Sequence, residues 1–178
     1  MNLVLPDRCL AVFVDDTGHE RLVDGHPVYG LGGCAVLGRD LDRLIRTPWC
    51  EVRRGVTGSP DTSLHANTFA GFATPENIAS VAKFFRVCPF ARFGAVISTA
   101  TTLADKLAPV ATIVTVLQAR IAQIARSTEF DSLAVIFESS QRTDGLIKEA
   151  FQGLLLEEDG PHSNSMPLHA EAARRAGA

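Results

Sequence analysis

The chain has little cysteine, and what it has is scattered. Its 178 residues include 4 cysteines, Cys9, Cys34, Cys50 and Cys88, with no CxxC pair among them. That usage argues against a disulfide scaffold and favours a reducing, cytoplasmic setting. Cys9 and Cys34 fall in strand-like runs, where a free thiol behaves as a small hydrophobe. Long apolar runs are lacking as well: none reaches the roughly 18 residues that cross a bilayer, so no membrane association is expected. The opening MNLVLPDRCL has no basic segment followed by a long apolar one, which predicts no secretory leader. There is no excess of positive charge, since 17 Lys and Arg stand against 20 Asp and Glu for a net −3. Attraction of the whole molecule to nucleic acid is thereby excluded, and only a local basic surface is left open.

Several familiar chemistries are absent too. The sequence contains no Walker loop, no GxSxG elbow and no HExxH pair. The glycines of GLGG (Gly30–Gly33) do not form a GxGxxG that opens a helix, so no dinucleotide site is expected.

What is present is an ordinary globular balance, 46% hydrophobic and 21% charged, with enough apolar material for a core. The length predicts one domain over residues 1–178. Residues 10–15 read as a buried strand that ends in turn chemistry at Asp15-Asp16-Thr17-Gly18. A polar loop leads to a second, antiparallel strand over 28–38, whose glycines point to a bulge or close packing. Helical spacing over 39–46 stops before Pro48, and 53–63 is a loop by composition. Thr74-Pro75-Glu76-Asn77 is a helix start, predicting a helix over 75–86. A third strand follows at 90–98.

The longest helix is expected over 102–126, where Leu103, Leu107, Val110, Val114, Leu117, Ile121 and Ile124 form one apolar stripe. Pro109 either starts its regular part or kinks it. The stripe suits packing on a sheet better than a dimer seam, and nothing else in the sequence indicates a homo-oligomer. A fourth strand is expected at 132–139 and a helix at 144–157, ended by Asp159-Gly160-Pro161. After about residue 160, PLHAEAARRAGA reads as a short, truncated or frayed terminal helix. The order predicts a mixed α/β sheet flanked by helices, with the first and fourth strands adjacent and parallel.

Two strands carry the same pattern. LAVFVDD and LAVIFES each begin Leu-Ala-Val, add two large apolar residues and stop on an acid, Asp15 in one and Glu138 in the other. If the strands are neighbours, the acids emerge together at their carboxyl ends, where ligands sit in open α/β sheets. Two carboxylates there suit a hard cation such as Mg²⁺, and a metal pair would suit phosphodiester hydrolysis. The plain alternative is that Asp-Asp-Thr-Gly is a turn and Glu138 the first exposed residue after a buried strand.

His65 is suited to orienting a water, contacting phosphate or binding metal, or to a structural hydrogen bond. His19 and His26, with Asp16, Glu20 and Asp24, match no closed zinc pattern. Arg39, Arg43, Arg46, Arg53 and Arg54 form either a phosphate-positioning surface or a solvated charged face, with Asp40, Asp42 and Glu51 among them.

These motifs, in this order, resemble the domain-of-unknown-function 3800 family, which has an RNase H-like fold. Asp15-Asp16-Thr17-Gly18 is similar to its Asp-Glu-Ser-Gly opening, and YGLGGCAVL to its Leu-Gly-Gly strand. Leu64-His65-Ala66 resembles its Glu-Leu-His-Ala motif, and Phe137-Glu138-Ser139-Ser140-Gln141-Arg142, with Asp144 beyond, its later acid-ending strand. The likeness spans about residues 10–155. It implies an RNase H-like mixed sheet flanked by helices, and Mg²⁺ or Mn²⁺ on Asp15 and Glu138. His65 would stand at the edge of that site, and Glu171 and Asp144 are weaker candidate acids. The implied activity is hydrolysis of nucleic-acid phosphodiesters. The alternative is a catalytically degenerate module that binds nucleic acid or a protein. Two departures favour that alternative: Ser63 stands where the family has Glu, and Glu171 only imperfectly replaces its last acid.

Overall fold

The computed structural model describes residues 4–19, 21, 22, 25, 27–99, 109–138, 155, 156, 166, 167 and 169–173. The chain divides into two compact units, one of Met1–Gly38 with Ala91–Ala178 and one of Arg39–Phe90. In chain order the second unit is thus an insertion between two strands of the first.

The first unit is a mixed sheet. Strand β1 (Cys9–Gly18) pairs antiparallel with β2 (Val28–Leu37), and β2 pairs antiparallel with β3 (Ala91–Ser98). On its other side β1 runs parallel to β4 (Ser132–Glu138), as the repeated strand pattern predicts. Leu155–Leu156 (β5) and Met166–Pro167 (β6) form a separate two-residue ladder. A fifth strand, β7 (His169–Ala173), then adds in parallel to β4, so the sheet order is β3-β2-β1-β4-β7.

β6 and β7 replace the terminal helix expected after residue 160, and β5 replaces the end of the helix expected over 144–157. Residues 139–154, the Asp159-Gly160-Pro161 stop and Asp144 lie outside the described residues. The run HAEAA is rich in good helix formers, but pairing with β4 satisfies its backbone groups along a whole ladder. That tertiary gain outweighs a propensity of a few tenths of a kcal/mol per residue.

Strand alternation decides the core. Leu10, Val12 and Val14 of β1, Tyr29 and Leu31 of β2, and Leu133, Val135 and Phe137 of β4 are all buried. Helix α4 (Pro109–Arg126) covers that face with Ile113, Val114, Leu117 and Ile121, each at most 3% exposed. The predicted stripe therefore packs on the sheet. Its positions before Pro109 lie outside the described residues. Burying a side chain of this size contributes about 1.5–3 kcal/mol, which makes α4 the main cover of this face.

The second unit is helical. The 39–46 segment forms a 3₁₀ turn (Gly38–Asp40) and a π-helical stretch (Asp42–Arg46), then continues into α1 (Thr47–Thr57). It therefore does not stop at Pro48, and the loop expected from 53 begins only after Thr57. The physical reason is the wide turn: the Thr47 N–H reaches back to the Asp42 carbonyl, and Pro48 stands in the first turn of a new α segment, where its missing donor costs nothing. Helices α2 (Ala66–Phe72) and α3 (Pro75–Val87) follow. α3 starts as predicted, with the Thr74 hydroxyl accepting the Asn77 N–H at 3.3 Å. Phe84 is buried in this unit, its ring centroid 5.1 Å from Trp49 and 5.4 Å from Phe90.

Candidate functional site

The parallel pairing of β1 with β4 puts the two acids of the repeated pattern side by side. The ladder runs from Cys9 and Ser132 to Val14 and Phe137, and the next residue on each strand is Asp15 and Glu138. Adjacent strands lie about 4.8 Å apart, so these positions are neighbours where the parallel ladder ends. The turn expected at Asp15–Gly18 is not formed: β1 runs on to Gly18, because pairing with β2 continues through Gly18 and Tyr29. Glu171 sits on β7 opposite Ile136, two residues short of Glu138. At about 3.3 Å per residue that is roughly 7 Å back along the strand.

Alternation also separates Asp15 from Asp16. Even-numbered β1 residues face α4, so Asp15 belongs to the opposite face and is exposed, while Asp16 is half-buried. One Asp15 oxygen, Oδ1, accepts the Asp16 N–H at 2.8 Å, which steadies the carboxylate. The two aspartates are thus not equivalent, and Asp15 is the one offered to solvent.

The ladder shows what surrounds it. Asp15 pairs with Gly32 of β2, and Gly32 with Gly94 of β3. On the other side Glu138 pairs with Ala173 of β7. One row across the sheet therefore reads Gly94, Gly32, Asp15, Glu138, Ala173. A methyl group built on Gly32 or Gly94 would meet its nearest atom only at 3.6 Å, ordinary contact. Packing does not demand glycine at either place, yet both leave the sheet bare beside Asp15. Arg92, Gly94 and Val96 of β3, on this face, are exposed, and Ser98 beyond them is half-buried.

The row behind reads Arg92, Cys34, Phe13, Ile136, Glu171. Arg92 brings a cation to the face that carries Asp15. Cys34 is half-buried there, and burial pushes its thiol up to about 11, so it stays protonated and unreactive at neutral pH. Gly32, Gly94 and Arg92 are what sequence reasoning misses. Their signal is period-2 alternation, which identifies a shared face only once the strand register is known.

The other sequence candidates belong to other elements. His65 belongs to the second unit, where it is the exposed residue before α2, with extended backbone and no capping bond from its ring. The row described above consists of sheet residues alone. His19 Nδ1 accepts the Arg21 N–H at 3.2 Å, a local turn contact. Glu20, Asp24 and His26 lie outside the described residues. Arg43 and Arg46 each pair with an acid of their own turn, Asp40 and Asp42, at 2.8 Å, and Arg39 stands 3.8 Å from Asp40. Such exposed pairs contribute little stability but cancel much of the positive field. Among the described residues no group of three or more His, Cys, Asp or Glu is placed to hold a metal. No helix among them is long and apolar enough to cross a membrane.

No protein-family profile, curated protein or solved structure matches this chain.

Proposed function

We propose that the chain is an RNase H-like, divalent-metal-dependent hydrolase of nucleic-acid phosphodiesters, acting in the cytoplasm. One observation carries this reading: Asp15 and Glu138 follow the last pair of the β1–β4 ladder, side by side where the two parallel strands cease to pair. The donor chemistry fits the group invoked, because Mg²⁺ and Mn²⁺ take oxygen ligands and need only one or two carboxylates from the protein. Asp15 and Glu138 would hold the ion, with Glu171 as a more distant third acid. When bound, such an ion supplies charge stabilisation and a lowered pKa for a water. The bare row at Gly32 and Gly94 gives a phosphate backbone room to approach Asp15, and Arg92 offers it a cation on the same face. The resemblance of the ordered motifs to the domain-of-unknown-function 3800 family supports the same reading.

The test is cleavage of labelled single- and double-stranded DNA and RNA with Mg²⁺ or Mn²⁺, comparing the native chain with Asp15→Asn. Cleavage lost in the variant, with the fold intact by circular dichroism, supports the proposal and identifies the substrate class. A specific observation favours a second reading, a degenerate binding module: Ser63 stands where the family motif has an acid. Binding of labelled nucleic acid without cleavage, and without divalent-ion affinity by calorimetry, would establish that reading and sink the first.

A further inference from the structure

Gly30, Gly32 and Gly94 lie on the face that carries Asp15, and their surroundings differ. Gly30 is buried because two methyl groups close over it. A methyl built there would meet Val96 Cγ2 at 3.2 Å and Thr17 Cγ2 at 3.3 Å. Val96, Gly30 and Thr17 form one row of the sheet, so that row is a low apolar ridge. Gly32 and Gly94 belong to the next row and are bare. Among the described residues, and apart from their chain neighbours, only backbone atoms come within 4 Å of a methyl built on either. Behind them the side chains of Arg92, Cys34 and Phe13 stand up again. The result is a slot running across the strands. It opens at β3, the edge strand, and ends about 9.6 Å in, two strands away, at Asp15. Its two wall rows are four residues apart on each strand, about 13 Å.

We infer that this slot admits a single strand of nucleic acid and not a duplex, an inference that rests on the hydrolase reading of Asp15 and Glu138. A single chain is narrow enough to lie between the walls. It also brings unpaired bases, whose faces can cover the Thr17 and Val96 methyls and the flat peptide planes of the floor. Val96 is 69% exposed and Val28, diagonal to it on the same face, 38%, so the sheet offers apolar surface to solvent beside the slot. A duplex keeps its bases stacked inside and draws its affinity from neutralising many phosphates. Over β2 and β3 these three rows carry one charge, Arg92. Its sign suits a phosphate at the mouth of the slot, and a single cation suits one strand rather than the phosphate rows of a duplex.

Fluorescence anisotropy tests this with short labelled DNA and RNA, each as a single strand and as the matching duplex. The whole chain carrying Asp15→Asn is used in Mg²⁺, which removes an acid assigned to the metal and leaves the slot in place. At least one single strand should bind about tenfold or more tightly than its duplex, and the pair that does so names the sugar preferred. Gly94→Val added to this background should erase the preference by filling the floor. The 3.6 Å clearance and the strand preference of valine keep the fold, which circular dichroism checks. Equal binding of the duplexes overturns the inference, as does a folded Gly94→Val variant that still prefers the single strand. If the native chain then cleaves in Mg²⁺ and Asp15→Asn does not, the hydrolase reading survives that failure. Single-strand preference without cleavage by the native chain supports the slot and turns the reading toward a binding module. Neither binding nor cleavage of any form overturns both.

Discussion

Asp15 and Gly32 face each other across the β1–β2 ladder, an exposed carboxylate opposite a residue with no side chain. On the β2 side this acid is therefore flanked by open sheet rather than by a packed neighbour. The next glycine along, Gly33, is there for a different reason. A methyl group built on it would run into the carbonyl oxygen of Phe13.

These adjacent glycines should respond differently to substitution. Gly33→Ala forces β1 and β2 apart and should cost about 1–3 kcal/mol, in the range of overpacked sites. Gly32→Ala should change stability by less than about 0.5 kcal/mol, as expected where nothing is displaced. Gly32→Val should fold yet lose nucleic-acid cleavage or binding, because its branches fill the floor beside Asp15. Denaturant unfolding and the cleavage assay separate the two effects, and full activity in Gly32→Val would mean that substrate does not cross this row.

Leu117 and its neighbour Val116 test the α4 cover. Leu117 is completely buried against the sheet, and Val116 is 42% exposed on the far side of the helix. Leu117→Ala should destabilise by about 2–5 kcal/mol. Val116→Ala should stay within about 0.5 kcal/mol. Equal effects in urea melts would contradict this packing.

The start of α3 has a pH signature. The Glu76 carboxyl is held below its ordinary 4.5, first by its own backbone N–H and then by the Thr74 hydroxyl. A lowered folded-state value means stability that is complete above the ordinary value and lost as pH falls through the folded one. The stability gap between the native chain and Glu76→Gln should thus be constant near neutrality and close in acid. Thr74→Ala should cost about 1 kcal/mol and shrink the gap, since it removes one of the bonds to the carboxylate. Melting temperatures between pH 7 and pH 3 check both.

Cys34 should be a slow thiol. Burial raises its pKa to about 11, whereas labelling requires the thiolate. At pH 8 a disulfide reagent should modify the native chain at Cys34 later than at Cys50 or Cys88, and all 4 cysteines should react together in denaturant. Rapid native labelling of Cys34 would show that this part of the sheet face opens.

Much of the architecture was legible because it rests on local patterns. Period-2 runs mark β1 to β4, the Thr74-Pro75 start marks α3, and the apolar spacing through Leu117 and Ile121 marks a helix that covers a sheet. The twin apolar runs before Asp15 and Glu138 pointed to adjacent parallel strands, and the ladder runs that way, although β1 itself continues to Gly18 where a turn is expected. Where the reading failed, a non-local or unusual bond prevailed. A π-helical turn carries the chain past Pro48, and pairing with β4 draws His169–Ala173 into a strand despite helix-forming alanines.

The sequence by itself determined which strand residues are apolar, where the α3 cap lies, and which acids follow the twin apolar runs, because those are properties of near neighbours in the chain. Only the tertiary structure decided which residues share a row. Gly94, Gly32, Asp15 and Glu138 come from four separate strands, and no spacing along the chain encodes their alignment. That alignment follows from register, and for β1 to β4 register is set by burying one face of each strand at once beneath α4.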